Sequence, residues 1–356
     1  MIKKIDWYII RKFLGTFIFI TLIIMCLSVI FDISEKIDDF ISKGAPINDL
    51  IFKYYLNFII YYSNRFSPLI IFISVIFFTS KMAQNTEIIP ILNSGRNFYR
   101  FLRPYAIAAT ILTIFSLFQN HYFVPKATKE RLAFEEVYYM VSFSTSNKYY
   151  SISEDEVVYF NWHESAYANL REFRSEKWNG LELSSILYSP RADFDTINKD
   201  WHLIMAEGRY IGDTNDRVFQ GKNIDTTFSY VIDDFAYRSE IYETMTYPEL
   251  KDFMVEEAKM GNPTTFAELE MNQRTAFPFA TYILTLIGVA VSSKKTRGGT
   301  GVHIAIGLFF ALMYIFSMKI STVSATNAGL NPLIATWIPN FIFLIIGIIL
   351  FRRTQT

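Results

Sequence analysis

Six stretches of almost uncharged residues limit what this chain can fold into more than any other feature of its sequence. Each stretch is at least 18 residues long, which is close to the length that an α-helix needs to cross the hydrocarbon core of a bilayer. The six are Phe13–Ile33, Phe58–Ser80, Ala106–Val124, Thr275–Ser292, Val302–Ser321 and Pro332–Phe351. The sequence therefore predicts an α-helical membrane protein with six transmembrane helices.

Basic residues collect in the loops on one side of these six stretches. The N-terminal tail, the loops after the second and fourth stretches and the C-terminal tail together hold thirteen Lys or Arg and two acidic residues, although the whole chain is formally neutral. Loops rich in Lys and Arg stay in the cytoplasm in multi-pass membrane proteins. We therefore expect both termini to be cytoplasmic, which agrees with an even number of spans.

A long segment, residues 125–273, separates the third stretch from the fourth and is expected on the outer side of the membrane. Short runs in it alternate apolar with polar residues and are bounded by turn signals. The candidate strands are Val157–Trp162, Leu181–Tyr188, Trp201–Ile211, Phe219–Gly221 and Thr226–Ile232. Their spacing predicts an all-β domain, either a sandwich, a jelly roll or an open barrel. A helix over Tyr247–Met260 is predicted to lead back to the membrane.

These features divide the chain into three parts. Residues 1–124 form the N-terminal transmembrane half, residues 125–273 the β-rich domain, and residues 274–356 the C-terminal transmembrane half. The fold class predicted from sequence is thus a six-helix membrane protein with a β domain inserted between helices 3 and 4.

A short amphipathic stretch, Thr86–Arg96, follows the second span on the predicted cytoplasmic side. It is too short to cross a bilayer, and it carries one acid, Glu87, beside a small apolar ridge. Such a segment lies on a membrane surface or docks in the groove of a partner protein. Thr86 is a suitable N-cap and Gly95 a suitable C-cap. Pro90 implies a helix that starts after Thr86 or is kinked.

The sequence carries no recognisable catalytic motif. The phosphate-binding pattern GxxxxGK[ST] is absent, and the four histidines lack metal-ligand spacing. The outer segment is net acidic, which argues against nucleic-acid binding. No Asp or Glu lies deep in any span, which argues against a secondary transporter. We expect a non-enzymatic chain without a cofactor of its own. A permease driven by another protein, a secondary transporter and a membrane-anchored receptor or scaffold all stay open.

Several groups of residues carry a resemblance to a known family. They are Thr86-Glu87 with Ser94-Gly95, Arg274–Pro278 with Leu286–Gly288 and Ser292, Gly298–Val302 with Gly307, and Ala335–Phe341 with Arg352-Arg353. Each group is weak alone, but the set covers all six spans. It resembles the LptF/LptG family, the permeases of the ATP-driven lipopolysaccharide exporter of Gram-negative bacteria. The opening Ile5-Asp6-Trp7-Tyr8-Ile9 is more similar to that of LptG than to that of LptF.

The resemblance implies a location, a fold and a set of partners. It implies a multi-pass protein of the bacterial inner membrane whose periplasmic β domain is a jelly roll. A second LptF/LptG-type permease would complete a heterodimer on two copies of the cytoplasmic ATPase LptB, which would bind ATP-Mg. This chain would help to extract lipopolysaccharide from the membrane and pass it to LptC and a periplasmic LptA-type bridge.

The resemblance also implies that a coupling helix, about residues 84–97, contacts the ATPase. The candidate contact residues are Glu87, Ile88, Ile91, Leu92, Gly95 and Arg96. Glu87 is the best single point of contact, because a chain without a nucleotide motif must receive energy through another protein. The alternative is an interfacial helix that only ties two spans together.

The lipid cavity of the family is lined by the first, second and fifth spans. The lipid-contact candidates in this sequence are Phe31, Lys36, Arg65 and Lys319. Family members carry basic residues at the outer end of the first span, whereas this chain has Asp32, Glu35, Asp38 and Asp39 there, with only Lys36 and Lys43. Divalent cations, Arg65, Lys319 or the partner permease are the alternatives for binding the lipid phosphates. Arg65 either lines a cavity and contacts an anionic ligand or reaches the outer interface.

Overall fold

The structure is a computed structural model that divides into two compact units. It describes residues 3–93, 98–139, 144–153, 155–164, 168–212, 215–232, 241–259, 262–294 and 299–355. The helical unit comprises Met1–Tyr139, Glu243–Leu250 and Thr265–Thr356, and the β unit comprises Met140–Tyr242 and Lys251–Thr264. Val124–Tyr138, which lies beyond the sequence-based division at residue 124, is a helix of the helical unit.

The described residues form helices both within and outside the six apolar runs. The helices are α1 (Lys4–Ser42), α2 (Ile47–Asp49), π1 (Leu50–Tyr55), α3 (Leu56–Arg65), α4 (Ser67–Gln84), α5 (Ile88–Asn93), α6 (Phe98–Phe118), π2 (Gln119–Phe123), α7 (Val124–Tyr138), α8 (Ile241–Thr244), α9 (Tyr247–Lys259), α10 (Thr265–Ser292), α11 (Gly299–Ala328) and α12 (Pro332–Gln355). Within the described residues, six helical stretches are long and apolar enough to cross a membrane. The prediction of six spans is confirmed, and the chain is a multi-pass membrane protein.

The second predicted span is broken near its middle. Phe66, with φ −89° and ψ 0°, ends α3 and precedes α4. Pro68 follows in the first turn of α4, where a missing backbone N–H does not disturb the helix. The break lets α4 run independently of α3, and α4 becomes the most buried of the six apolar helices.

Helix α4 packs against α1, α10 and α11. A Cβ added at Gly288 of α10 would lie 2.8 Å from Val75 Cγ1, and one added at Gly307 of α11 would overlap with Ile76 Cδ1. These glycines therefore let two helices approach α4 closely. By contrast, only 11% of the apolar window of α1 and 28% of that of α11 are buried within the chain. Much of the surface of α1 and of α11 is thus left uncovered.

The β unit contains one antiparallel sheet in which the six described strands follow one another in chain order. They are β1 (Ser144–Ser153), β2 (Glu156–Glu164), β3 (Asn169–Asn179), β4 (Glu182–Asp195), β5 (Asp200–Tyr210) and β6 (Arg217–Thr226). The inserted β domain is therefore confirmed. Its described strands form an up-and-down meander, whereas a jelly roll joins its strands by Greek-key crossovers.

The strand predictions were right for β2, β4, β5 and part of β6. Strands β1 and β3 were missed, since their many charged and polar residues obscure the alternation of apolar and polar side chains that marks a strand. The predicted strand Thr226–Ile232 is wrong, because β6 ends at Thr226. The apolar residues after it still enter the core: Tyr230 is buried, and its carbonyl oxygen accepts a hydrogen bond from Trp201 Nε1 at 3.2 Å.

The predicted helix at Tyr247–Met260 is present as α9. The amide and hydroxyl of Thr246 donate hydrogen bonds to Glu249 Oε2 at 2.7 and 2.8 Å, which caps the helix. These bonds lower the pKa of the Glu249 carboxyl.

We predict that Gly307→Leu destabilises the helical unit, because the new side chain would collide with Ile76. Overpacking of a tight core typically costs about 1–3 kcal/mol, so the variant should fold with a lower thermal midpoint. The measurement is the yield of monodisperse protein in detergent and its thermal midpoint. Gly301→Leu on the same helix is the control, since nothing lies within 4 Å of its Cβ position. Equal behaviour of the two variants would contradict the close-approach argument.

Candidate functional site

The helical unit has two ends that carry the candidate residues. The end with Lys3, the α4–α5 connection and Arg353 is called the terminal end here. The other, with Lys36, Arg65 and Glu270, is called the junction end because the chain leaves it for the β unit.

At the terminal end, α4 stops in a Schellman motif. The Glu87 N–H donates to the Met82 carbonyl at 2.9 Å and the Thr86 N–H to the Ala83 carbonyl at 3.2 Å. Thr86 occupies the left-handed position with φ 57°. It therefore ends α4 rather than capping the next helix, and the prediction of Thr86 as N-cap is wrong.

Helix α5 begins only at Ile88, so that Pro90 falls in its first turn. The amide groups of a first turn have no partner within the helix, and a proline there removes no hydrogen bond. Of the two sequence alternatives, the late start is therefore the one observed. The prediction of a helix from about residue 84 is corrected to Ile88–Asn93 for the described part. Gly95 and Arg96 and the side chain of Leu92 lie outside the described residues.

The apolar residues of α5 divide between the chain's own core and the surface. Ile88 is 2% exposed and belongs to a buried cluster with Ile9, Ile10 and Phe13, and Ile91 packs against that cluster. The side chain of Ile88 is therefore buried in the core of this chain. This corrects the expectation that it fills a groove of the ATPase. Ile89 is 53% exposed, so its side chain is open to a partner.

Glu87 is half-buried and receives hydrogen bonds from uncharged groups. Tyr8 donates its hydroxyl to Oε2 at 3.3 Å, and Asn85 donates its side-chain amide to Oε1 at 3.2 Å. Within the described part of the chain, no Lys or Arg forms an ion pair with this carboxylate. These two hydrogen bonds therefore orient the carboxylate of Glu87, and no described Lys or Arg neutralises its charge.

The neighbouring acid, Asp6, is placed very differently. It is 3% exposed, and its Oδ2 accepts hydrogen bonds from the Lys3 backbone N–H at 2.8 Å and from Arg100 at 2.6 Å. Asp6 thereby caps α1 and ties it to α6. At the terminal end, Asp6 therefore stabilises the fold, whereas Glu87 has no cationic partner among the described residues.

At the junction end, Lys36 lies inside a buried network rather than on the surface. Its ammonium group is 3.0 Å from Asp32, 3.1 Å from Glu135 and 2.6 Å from the Tyr54 hydroxyl, and the side chain is only 12% exposed. Arg131 adds an ion pair with Glu135 at 2.9 Å. The charges of two carboxylates, Asp32 and Glu135, and two cations, Lys36 and Arg131, therefore balance within this network.

Arg65 lines a polar cavity at the same end. The lining includes the carboxylates of Glu243 and Glu270 and the guanidinium of Arg274. Tyr61 donates to Glu243 at 2.7 Å, and Arg274 forms an ion pair with Glu270 at 2.8 Å. Arg65 lines this cavity and is also exposed, so both positions expected for it from the sequence are compatible with the structure. The sequence interpretation missed Glu243 and Glu270, which lie in segments far apart in sequence with no shared motif.

The remaining two lipid-contact candidates lie on the poorly covered helices. Phe31 of α1 is 73% exposed, and Lys319 of α11 is exposed beside Phe316, which is 68% exposed. Neither residue is brought to Lys36 or Arg65 by a described contact. The structure therefore places the four candidates at separate points of the helical unit.

A comparison with protein-family models finds one match, described as lipopolysaccharide export system permease LptF/LptG, over residues 7–353. The chain belongs to the LptF/LptG family. The match covers nearly the whole of this permease and does not distinguish LptF from LptG. No curated protein matches it significantly.

Several residues on which the resemblance was based have a clear packing role in this LptF/LptG permease. Gly288 and Gly307 let α10 and α11 approach α4. Asn340 donates to the Ala276 carbonyl at 2.9 Å and accepts from the Tyr314 hydroxyl at 2.9 Å. These bonds join α10, α11 and α12, so a part of the family pattern serves the helix bundle itself.

We predict that Lys36→Met destabilises the permease by about 3–5 kcal/mol, because it leaves Asp32 and Glu135 buried with too little positive charge. The measurement is the thermal midpoint of the purified protein. Lys53→Met is the control, since Lys53 makes the same four-residue-spaced pair with Asp49 but its side chain is 55% exposed. That variant should keep the wild-type midpoint. A stable Lys36→Met protein would contradict a structural role for the network.

Proposed function

We propose that this chain is a permease subunit that extracts lipopolysaccharide from the inner membrane and passes it to a periplasmic bridge. A separate cytoplasmic ATPase of the LptB type drives the step by docking at Glu87 and α5. Family membership supports the transport role. The carboxylate of Glu87 forms no ion pair with a Lys or Arg among the described residues and lies next to the exposed Ile89, and this arrangement is the observation that carries the docking proposal.

Extraction of such a lipid needs an energy source. Each buried CH₂ of an acyl chain contributes about 0.8 kcal/mol to membrane anchoring, so a molecule with several acyl chains does not leave the bilayer unaided. The sequence contains no phosphate-binding loop. ATP and Mg²⁺ are therefore assigned to the partner ATPase, and this chain is proposed to be non-catalytic.

A carboxylate with only neutral hydrogen-bond donors suits a cationic partner. Each oxygen of Glu87 accepts one hydrogen bond from a described residue, and a carboxylate oxygen has a further lone pair beyond that bond. A guanidinium or ammonium group from the ATPase would form a charge-assisted bond without displacing either donor. The exposed side chain of Ile89 supplies an apolar contact beside it.

The uncovered surfaces of α1 and α11 are proposed to meet the lipid and the second permease. Both helices pack on α4, and exposed aromatic side chains such as Phe31 and Phe316 extend from them. Acyl chains bind to apolar surfaces of this kind. Arg65 and Lys319 are the proposed contacts for lipid phosphates. Lys36 is proposed to support them by holding the end of α1 in place.

The proposed orientation follows the charge bias of the loops. The terminal end, with both termini, is assigned to the cytoplasm, and the β unit is assigned to the periplasm. There the β unit would meet LptC and the LptA-type bridge.

We predict that Glu87→Gln reduces co-purification of the ATPase at least about tenfold, which corresponds to roughly 1.4 kcal/mol, because the variant keeps the shape but loses the charge. Ile89→Asp should reduce it as well, by placing a charge in the apolar contact. The measurement is the ATPase recovered with the tagged permease complex. Glu35→Gln, an exposed carboxylate near the other end of α1, is the control and should leave recovery unchanged. Full recovery with both α5-region variants would refute docking at this site.

A further inference from the structure

The segment that carries Glu87 is attached to α1 as well as to its neighbours in sequence. Tyr8 of α1 donates a hydrogen bond to Glu87 across 79 positions of the chain. Ile88 is buried in a cluster that contains Ile9, Ile10 and Phe13 of the same helix. Two successive residues of the proposed docking site therefore touch or pack with the first turns of the first span.

The start of α1 is itself held in a defined position. Asp6 closes the first turn by accepting the Lys3 N–H, and its ion pair with Arg100 at 2.6 Å fixes that turn to α6. Tyr8 lies two residues after this anchored point, and its ring is 42% exposed, so that the hydroxyl contact can be removed without opening the core. The geometry therefore allows Tyr8 to hold the direction of the Glu87 side chain.

We propose that Tyr8 is a positioning residue for Glu87 and links the ATPase contact directly to the first span. This inference rests on the proposed function, in which Glu87 receives the ATPase. The hydroxyl keeps the carboxylate turned toward the docking face, and the cluster around Ile88 makes α5 move together with α1. The force from the ATPase then acts on the helix whose apolar surface is left uncovered for the lipid.

The proposal separates binding of the ATPase from coupling. Loss of the Tyr8 hydroxyl leaves both the charge of Glu87 and its hydrogen bond from Asn85 in place, so the ATPase still docks. It removes the one described polar link between that carboxylate and α1. Transport of lipid per ATP hydrolysed should therefore fall while complex formation persists.

The test uses the complete complex of both permeases with the ATPase, reconstituted in lipid vesicles that contain lipopolysaccharide. Tyr8→Phe is expected to keep ATPase recovery within about twofold of wild type and to lower lipopolysaccharide released per ATP hydrolysed by roughly threefold to tenfold, the size of one net hydrogen bond. Tyr99→Phe is the control. Tyr99 lies at the same end and is 64% exposed. Among the described residues, its ring contacts that of Phe351.

The Glu87→Gln variant separates the inference from the proposed function. Glu87→Leu removes the acceptor of the Tyr8 hydroxyl. If Tyr8→Phe lowers the lipopolysaccharide released per ATP hydrolysed in the wild-type background but not in the Glu87→Leu background, measured on the complex that still forms, Tyr8 acts through Glu87, as proposed. An equal loss in both backgrounds, or no loss with Tyr8→Phe, would overturn the inference while docking at Glu87 stands. Unchanged recovery and release with Glu87→Gln alone would overturn the proposed function itself.

Discussion

The close packing of α4 against α1, α10 and α11 is the constraint on which the rest of the helical unit depends. It is made possible by Gly288 and Gly307, whose missing side chains leave room for Val75 and Ile76. Because α4 is buried on these sides, α1 and α11 stand at the periphery with much of their apolar surface exposed. Such a surface needs lipid or another subunit to cover it, which agrees with a permease that works within an assembly.

The two ends of the bundle use charge in opposite ways. At the junction end, Lys36 and Arg131 neutralise Asp32 and Glu135 within a buried network that fixes α1 to π1 and α7. At the terminal end, Glu87 keeps its charge and has only neutral donors among the described residues. A buried and balanced network suits a structural role, whereas an oriented but unpaired carboxylate suits recognition of a cationic partner.

The transmembrane spans could be predicted from the sequence, but the contacts between distant side chains could not. Long apolar runs predict membrane helices because a bilayer demands a fixed length of apolar chain. Strand β3 was missed because Arg171, Glu172 and Arg174 interrupt its alternation, and its partners come from other strands. Pro90 limited the helix to a late start or a kink, and the structure shows the late start. The roles of Lys36 and Ile88 depend on contacts with distant residues, and no local pattern in the sequence encodes them.

A photo-crosslinking amino acid at position 31 of α1 would test most directly whether the uncovered surface meets the transported lipid. The same group at position 341 of α12 is the comparison, since Phe31 and Phe341 are both exposed aromatic residues of apolar helices, at 73% and 60%. In vesicles with the complete complex, we predict that lipopolysaccharide crosslinks at position 31 in an ATP-dependent manner and only weakly at position 341. Equal crosslinking of lipopolysaccharide at both positions, or crosslinking at position 31 that does not depend on ATP, would contradict transport along α1.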